Sequence, residues 1–238
     1  MRQHNKAFVG LTTVVMACTC GCVSMHGVEA LTPKATAKTS NAESSVARGN
    51  AELSEDRTAQ LTLALAQELE RNGRGQEAIP YYERAAAAHV DHGKADHRLA
   101  LLYDHAGDDD HAAAKYRAAT EAEPRNSEVW NDLGFFHYSR GEYTLAEPAL
   151  RKAIKLDSHN DRAWGNLAMV LAQLERYDES FSAFSKVVGA AEAHSNVGIL
   201  QAQHGHREQA NESLRKALEL QPSLRQAQVV LARLDQGG

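Results

Sequence analysis

The chain has 238 residues, a formal net charge of −5 and only 6% aromatic side chains. A mildly acidic body lacks the basic footprint of a nucleic-acid binder and gives no charge-driven hold on anionic lipid. Abundant alanine without β-branched or aromatic runs predicts an all-α protein. Its cysteines are Cys18, Cys20 and Cys22, so no disulfide framework holds the rest of the chain together.

At the start, Arg2 and Lys6 precede an uncharged apolar run over residues 7–17. That run has the length of a signal-peptide core and is too short to span a bilayer as a helix. The segment Val15-Met16-Ala17-Cys18 resembles a bacterial lipobox. The resemblance implies that residues 1–22 are a signal and that Cys18 is lipidated and becomes the new N-terminus. Thr19 is not the Asp that retains such proteins at the inner membrane in enterobacteria. The expected location is therefore the cell envelope, as an outer-membrane lipoprotein facing the periplasm, and otherwise periplasmic or secreted. Cleavage without lipid would leave a soluble secreted adaptor. The alternate spacing of the three cysteines does not match the usual ligand spacing of closed zinc sites.

Residues 23–56 are rich in Ala, Ser and Thr and show no sustained apolar period. They are expected to form a flexible tether, because they cannot bury enough surface to offset chain entropy. Helix formers return near 51–57.

Residues 127–160 carry an ordered series: Trp130, Leu133, Gly134, Gly141, Tyr143, Ala146, Leu150 and Ala153. Small residues stand where two helices must touch, and bulky ones fill the space between. The series recurs at 59–92 (Leu65, Ala66, Gly73, Ala78, Tyr82, Ala85) and at 93–126 (Leu99, Ala100, Gly107, Ala112, Tyr116, Ala119). It returns at 161–190 (Trp164, Leu167, Ala168, Tyr177, Ser180, Phe184, Val187) and at 191–224 (Val197, Gly198, Gly205, Ala210, Leu214, Ala217). The unit at 161–190 is four residues short, which predicts a tight connection or a shortened second helix around Val188–Ala190. Ser180 and Val187 replace alanines there, so this unit is expected to pack most loosely. Pro80 and Pro148 share a repeat position, read as the first turn of a second helix, where a missing N–H costs little. Trp130, Trp164, Tyr143 and Tyr177 are read as core. Residues 225–238 place Val229, Val230, Leu231 and Leu234 on one side, as a capping helix requires.

A helix–turn–helix unit of 34 residues with this order resembles the tetratricopeptide repeat. The resemblance implies an all-α, right-handed superhelical solenoid of stacked units, with the first helix of each lining a concave wall. Such a wall is an interaction surface, and a non-catalytic scaffold for a protein or peptide partner is expected. The groove residues are then Lys94, His97, Arg98, Leu101, Asn131, Phe135, Tyr138, Asn166, Met169 and Ile199, with Asp132, Arg162 and Gln173 beside them. Leu101, Phe135, Met169 and Ile199 share one repeat position and predict an apolar strip suited to an extended peptide or an amphipathic helix. Lys94 and Arg98 resemble half of the family's carboxylate clamp, but Ala64 stands where that clamp has Asn.

A histidine- and acid-rich knot, Asp104, His105, Asp108, Asp109, Asp110 and His111, offers the alternative of a metal-binding or enzyme-accessory module. No nucleophile elbow, phosphate loop or H-E-x-x-H motif is present, so neither catalysis nor a cofactor is expected. The layout of lipoprotein signal, short tether and repeats is similar to that of pilus-assembly lipoproteins.

Overall fold

The structure, a computed structural model, describes residues 42–236. The repeats lie in the second of the chain's two units, residues 45–238, and the first unit is almost wholly outside the described residues. The signal and Cys18 are outside them as well. Among the described residues there are eleven helices and no strand. They are α1 (Ala42–Arg71), α2 (Gly75–Ala87), α3 (His92–Ala106), α4 (Asp109–Ala122), α5 (Ser127–Ser139) and α6 (Tyr143–Leu156). The series continues with α7 (Asp161–Gln173), α8 (Tyr177–Phe184), α9 (Ala190–Gln203), α10 (Arg207–Leu220) and α11 (Arg225–Gln236). This is the all-α solenoid that the resemblance implied.

Small residues set the nesting. Ala66, Ala100 and Ala168 on first helices, and Ala78, Ala112, Ala146 and Ala210 on second helices, are fully buried. At Gly134 even a methyl group does not fit, because a Cβ there would lie 2.5 Å from Cγ of the buried Leu150. Tyr82 and Tyr116 are the fully buried tyrosines, whereas Tyr143 and Tyr177 are half-buried. The tryptophans are half-buried too, and they do something the core reading missed. The Nε1 of Trp130 donates to the carbonyl of Pro124 at 3.1 Å, and that of Trp164 to the carbonyl of Ser158 at 3.0 Å. Two array positions further on, Gln228 Nε2 donates to the carbonyl of Pro222 at 2.7 Å. Each is a latch from a first helix back to the turn that precedes it.

Four expectations need correction. The tether gives way to helix from Ala42 onward, and residues 23–41 are outside the described residues. Ala, Glu and Arg in that stretch favour helix, and a helix needs no apolar stripe when tertiary contacts at its far end nucleate it. The prolines are not in a first turn: each is the sixth residue of its helix. Both are exposed, so the carbonyl that each leaves without an intrahelical partner can turn to water. Leu65 is 44% exposed, because the first repeat has its turn of Leu63, Ala66 and Leu69 facing inward instead. On α11 the inward stripe is Ala227, Leu231 and Leu234, with Val230 beside it and Leu224 just before the helix, and Val229 faces out.

The fourth unit has the shortened second helix: α8 has only 8 residues. It is not loose throughout. Leu167, Ala168, Val170 and Leu171 anchor a core cluster shared with α6 and α9. Ser180 is satisfied, its hydroxyl donating to the carbonyl of Ala168 at 2.7 Å, while Val187 is exposed.

The turn inside each unit uses a left-handed residue, Gly73, Gly107, Gly141 and Gly205, at φ +73, +76, +74 and +82. The fourth unit puts Glu175 there at φ +58. A side chain in that region costs about 1–2 kcal/mol, part of which glycine gives back by loosening the unfolded chain. Glu175→Gly should therefore raise stability by about 0.5–1 kcal/mol, read as a higher urea midpoint at unchanged slope. An unchanged or lower midpoint would show that the turn is not strained.

Candidate functional site

First helices pack on one another along the array, α3 on α5, α5 on α7, α7 on α9 and α9 on α11. Consecutive second helices make no comparably close approach among the described residues. The row of first helices is thus the inner, shorter side of the curve, and the predicted groove residues fall on it.

The structure divides those residues into two groups. The apolar strip is present: Phe135 is 46% exposed, and Leu101, Met169 and Ile199 are half-buried at the matching positions. Phe135 stands 6.1 Å from the Tyr138 ring, and Tyr138 in turn stands 5.9 Å from Tyr143. Burial raises the Tyr138 hydroxyl above its ordinary pKa, against a hydrogen bond with Gln173. That phenol stays protonated and can donate or accept.

Most of the polar groove residues, by contrast, are engaged with one another. His97 Nε2 lies 2.9 Å from Asp132 Oδ2. The other oxygen of Asp132 accepts from Arg162 at 2.9 Å and from Asn131 at 3.0 Å. Asn131 is fully buried, and its own oxygen accepts from Asn166 at 3.0 Å. Arg162 also donates to Glu128 at 2.7 Å. One network thus ties α3, α5 and α7 together along the inner wall. Burial pushes the Asp132 carboxyl up, but the His97 hydrogen bond and the Arg162 charge outweigh it and hold it below the usual carboxylate range. Asn131 is therefore a joint between repeats and not a free recognition side chain. The signal lay in pairs of complementary polar residues about one repeat apart, such as Glu128 with Arg162.

At the N-terminal end of the wall, Arg98 is also committed. It donates from Nε to Glu70 at 3.0 Å and makes a second short contact through its other nitrogen, while Tyr82 donates to the same carboxylate at 2.7 Å. Lys94 is exposed, 3.4 Å from Asp91. These groups, with Gln67, Arg71 and His97, line a cavity of about 540 Å³. Half of a carboxylate clamp does not form here, because its arginine is neutralised from within the chain.

The histidine and acid knot is dispersed in the same way. Arg140 bridges Asp104 at 2.9 Å and Asp109, with its guanidinium 3.7 Å over the Phe136 ring. Asp108 caps α4, accepting from the backbone N–H of His111, and its carboxylate also meets the His111 ring. The Arg140 bridges staple the second unit to the third.

Comparison with known proteins agrees with this architecture. A solved tetratricopeptide protein, YrrB, described as having an unusual peptide-binding site, superposes with a TM-score of 0.61 at 25% identity, over 77% of this chain and 96% of that one. BBSome complex member BBS4 from Xenopus tropicalis is 30% identical over 90 residues, 38% of this chain but 17% of that protein. The type IV pilus assembly protein PilF from Pseudomonas aeruginosa is 28% identical over 139 residues, 53% of this chain and 54% of that protein. The chain thus spans well under two thirds of either relative. The family described as the Cilia and flagella-associated protein 70 C-terminal domain matches residues 23–236. With its helix pairs, nested small residues and this match over nearly its whole length, the chain belongs to that tetratricopeptide-repeat family.

Proposed function

We propose that this chain is a non-catalytic scaffold of the bacterial cell envelope whose inner wall holds a segment of a partner protein. The observation that carries the reading is the half-open apolar strip centred on Phe135. It is flanked by a wall whose polar groups are already satisfied within the chain. A wall of that kind is pre-organised, so a partner loses little free energy in ordering it. Its apolar centre suits an amphipathic helix or an extended peptide with alternate apolar side chains. The peptide-binding site of YrrB and the assembly role in the name of PilF support a protein partner. The resemblance of Val15–Cys18 to a lipobox supports the envelope, with PilF as the relative that favours a pilus or secretion complex.

The test uses the tagged full-length chain in its native host. Phe135→Glu should lose the co-purifying partner at least tenfold, whereas Leu145→Glu, at a 53% exposed position on α6, should keep it. Equal retention by both variants would remove the inner wall as the site. In the same cells Cys18→Ala should move the protein from the membrane to the soluble fraction. A variant that stays with the membrane would remove Cys18 as the anchor, and a wild-type chain already in the soluble fraction would make the soluble adaptor the better reading.

A further inference from the structure

The joint between the fourth and fifth units differs from the joints before it, on the side of the second helices. At the preceding joint, Trp164 of α7 fills the space between α6 and α8 and leaves a cavity of only about 190 Å³. There Lys186 sits 6.0 Å above the indole, as Lys152 sits 6.0 Å above Trp130. The third and fourth repeats thus each seat their own lysine over their own tryptophan. Arg176 to Glu147 at 2.8 Å and Arg151 to Glu179 at 3.3 Å then close that joint from outside.

At the next joint the aligned ring is His194 and the aligned lysine is Lys216. The turn before α9 is four residues shorter, and His194 makes no latch to it like those of Trp130 and Trp164. Its ring stacks instead on Phe181 of α8, 4.2 Å between centroids. The smaller ring and the shortened α8 leave a cleft of about 410 Å³ floored by α9. Tyr177 closes one end, held by a 2.8 Å hydrogen bond to His204.

The charges around the cleft are unbalanced. Glu175, Asp178 and Glu212 face it, against Lys216 alone among lysines and arginines. Lys216 is drawn to Glu212 on its own helix at 2.7 Å, and Glu175 reaches only to His206 at 3.5 Å. Asp178 interacts with Lys216 at longer range. Burial and the Lys216 charge keep His194 below its ordinary pKa, so the ring adds no positive charge at neutral pH. An aromatic floor edged by surplus carboxylates attracts a cation by ring quadrupole and by charge.

We propose that this outer cleft is a second recognition site, which takes a lysine or arginine side chain from a basic segment of a partner protein. The two preceding repeats seat a lysine on their tryptophan at this position, and the fifth repeat puts His194 and Lys216 there. Here the space, about 410 Å³ against about 190 Å³ at the joint before, exceeds what the chain's own lysine occupies. A basic segment on this side and an apolar one on the inner wall would let one scaffold hold two chains at once.

The probe is acetyl-Ala-Arg-Ala-amide, titrated into the isotope-labelled full-length chain and followed by amide chemical shifts. Saturable shifts are expected in α8, α9 and α10, with acetyl-Ala-Glu-Ala-amide giving none. Asp178→Asn with Glu212→Gln, both at exposed positions, should weaken binding at least tenfold. His194→Trp, which refills the cleft, should abolish it while the remaining amide spectrum stays folded. Phe135→Glu should leave it unchanged, which separates this site from the inner wall. Shifts scattered over the whole surface, equal binding of the glutamate peptide, or indifference to both variants would overturn the proposal.

Discussion

Leu150→Ala should lower the unfolding free energy by about 2–5 kcal/mol, the range for truncating a leucine with no exposure. The residue is the knob that fills the notch left by Gly134. The converse change, Gly134→Ala, drives a methyl to 2.5 Å from Leu150 Cγ and should cost about 1–3 kcal/mol by overpacking. Combined, the two changes should not add. Once Leu150 is truncated, the new methyl at 134 enters vacated space, and alanine is the better helix former by about 1 kcal/mol. The double variant should therefore be more stable than Leu150→Ala alone. Urea unfolding of the four proteins checks this. Simple additivity would mean that the α5–α6 contact is not the interlocked one described above.

Asp132→Ala should cost about 1–3 kcal/mol at neutral pH, since it leaves His97 and the buried Asn131 without a shared acceptor. The Asp132 carboxyl is held below its ordinary value of 3.8 in the folded chain. A carboxyl depressed by folding adds stability above the unfolded pKa and loses it as pH falls through the folded one. Wild type should thus lose stability below about pH 4. Asp132→Asn should start lower at pH 7 and show a shallower acid limb. Parallel acid limbs for the two proteins would show that the network does not hold that proton off. Because α3, α5 and α7 all contribute to it, its loss should also decouple the unfolding of neighbouring repeats.

What could be read from sequence followed from what each interaction demands locally. Gly134, Ala146 and Ala153 were legible because two helices at touching distance exclude anything larger at fixed intervals. The left-handed Glu175 of the fourth turn was not read from the sequence, although the glycines of the other four turns mark its place. The short α8 followed from four absent residues, but the cleft that this creates did not. It depends on where His194 goes when its latch is gone. The prolines were misplaced because the helix start was counted from the wrong residue. Gly141 takes the left-handed position and Glu142 the cap, so Tyr143 is the first helical residue and Pro148 the sixth.

The inner-wall network was hidden for a different reason. Whether Asp132 meets His97 or solvent depends on the pitch between repeats, which no single repeat encodes. The start of α1 was hidden because Ala, Ser and Glu are common to tethers and helices alike. A stripe of apolar residues would have separated the two, and residues 42–57 have none.

The central claim is that the row of first helices, and the strip around Phe135 in particular, is where another chain lies. Photo-crosslinking measures this directly, with benzoylphenylalanine placed at 135 on the inner wall and, separately, at 145 on α6. In the native host the account predicts a discrete crosslinked partner from position 135 and none from position 145. A partner captured from 145 but not from 135 would contradict it.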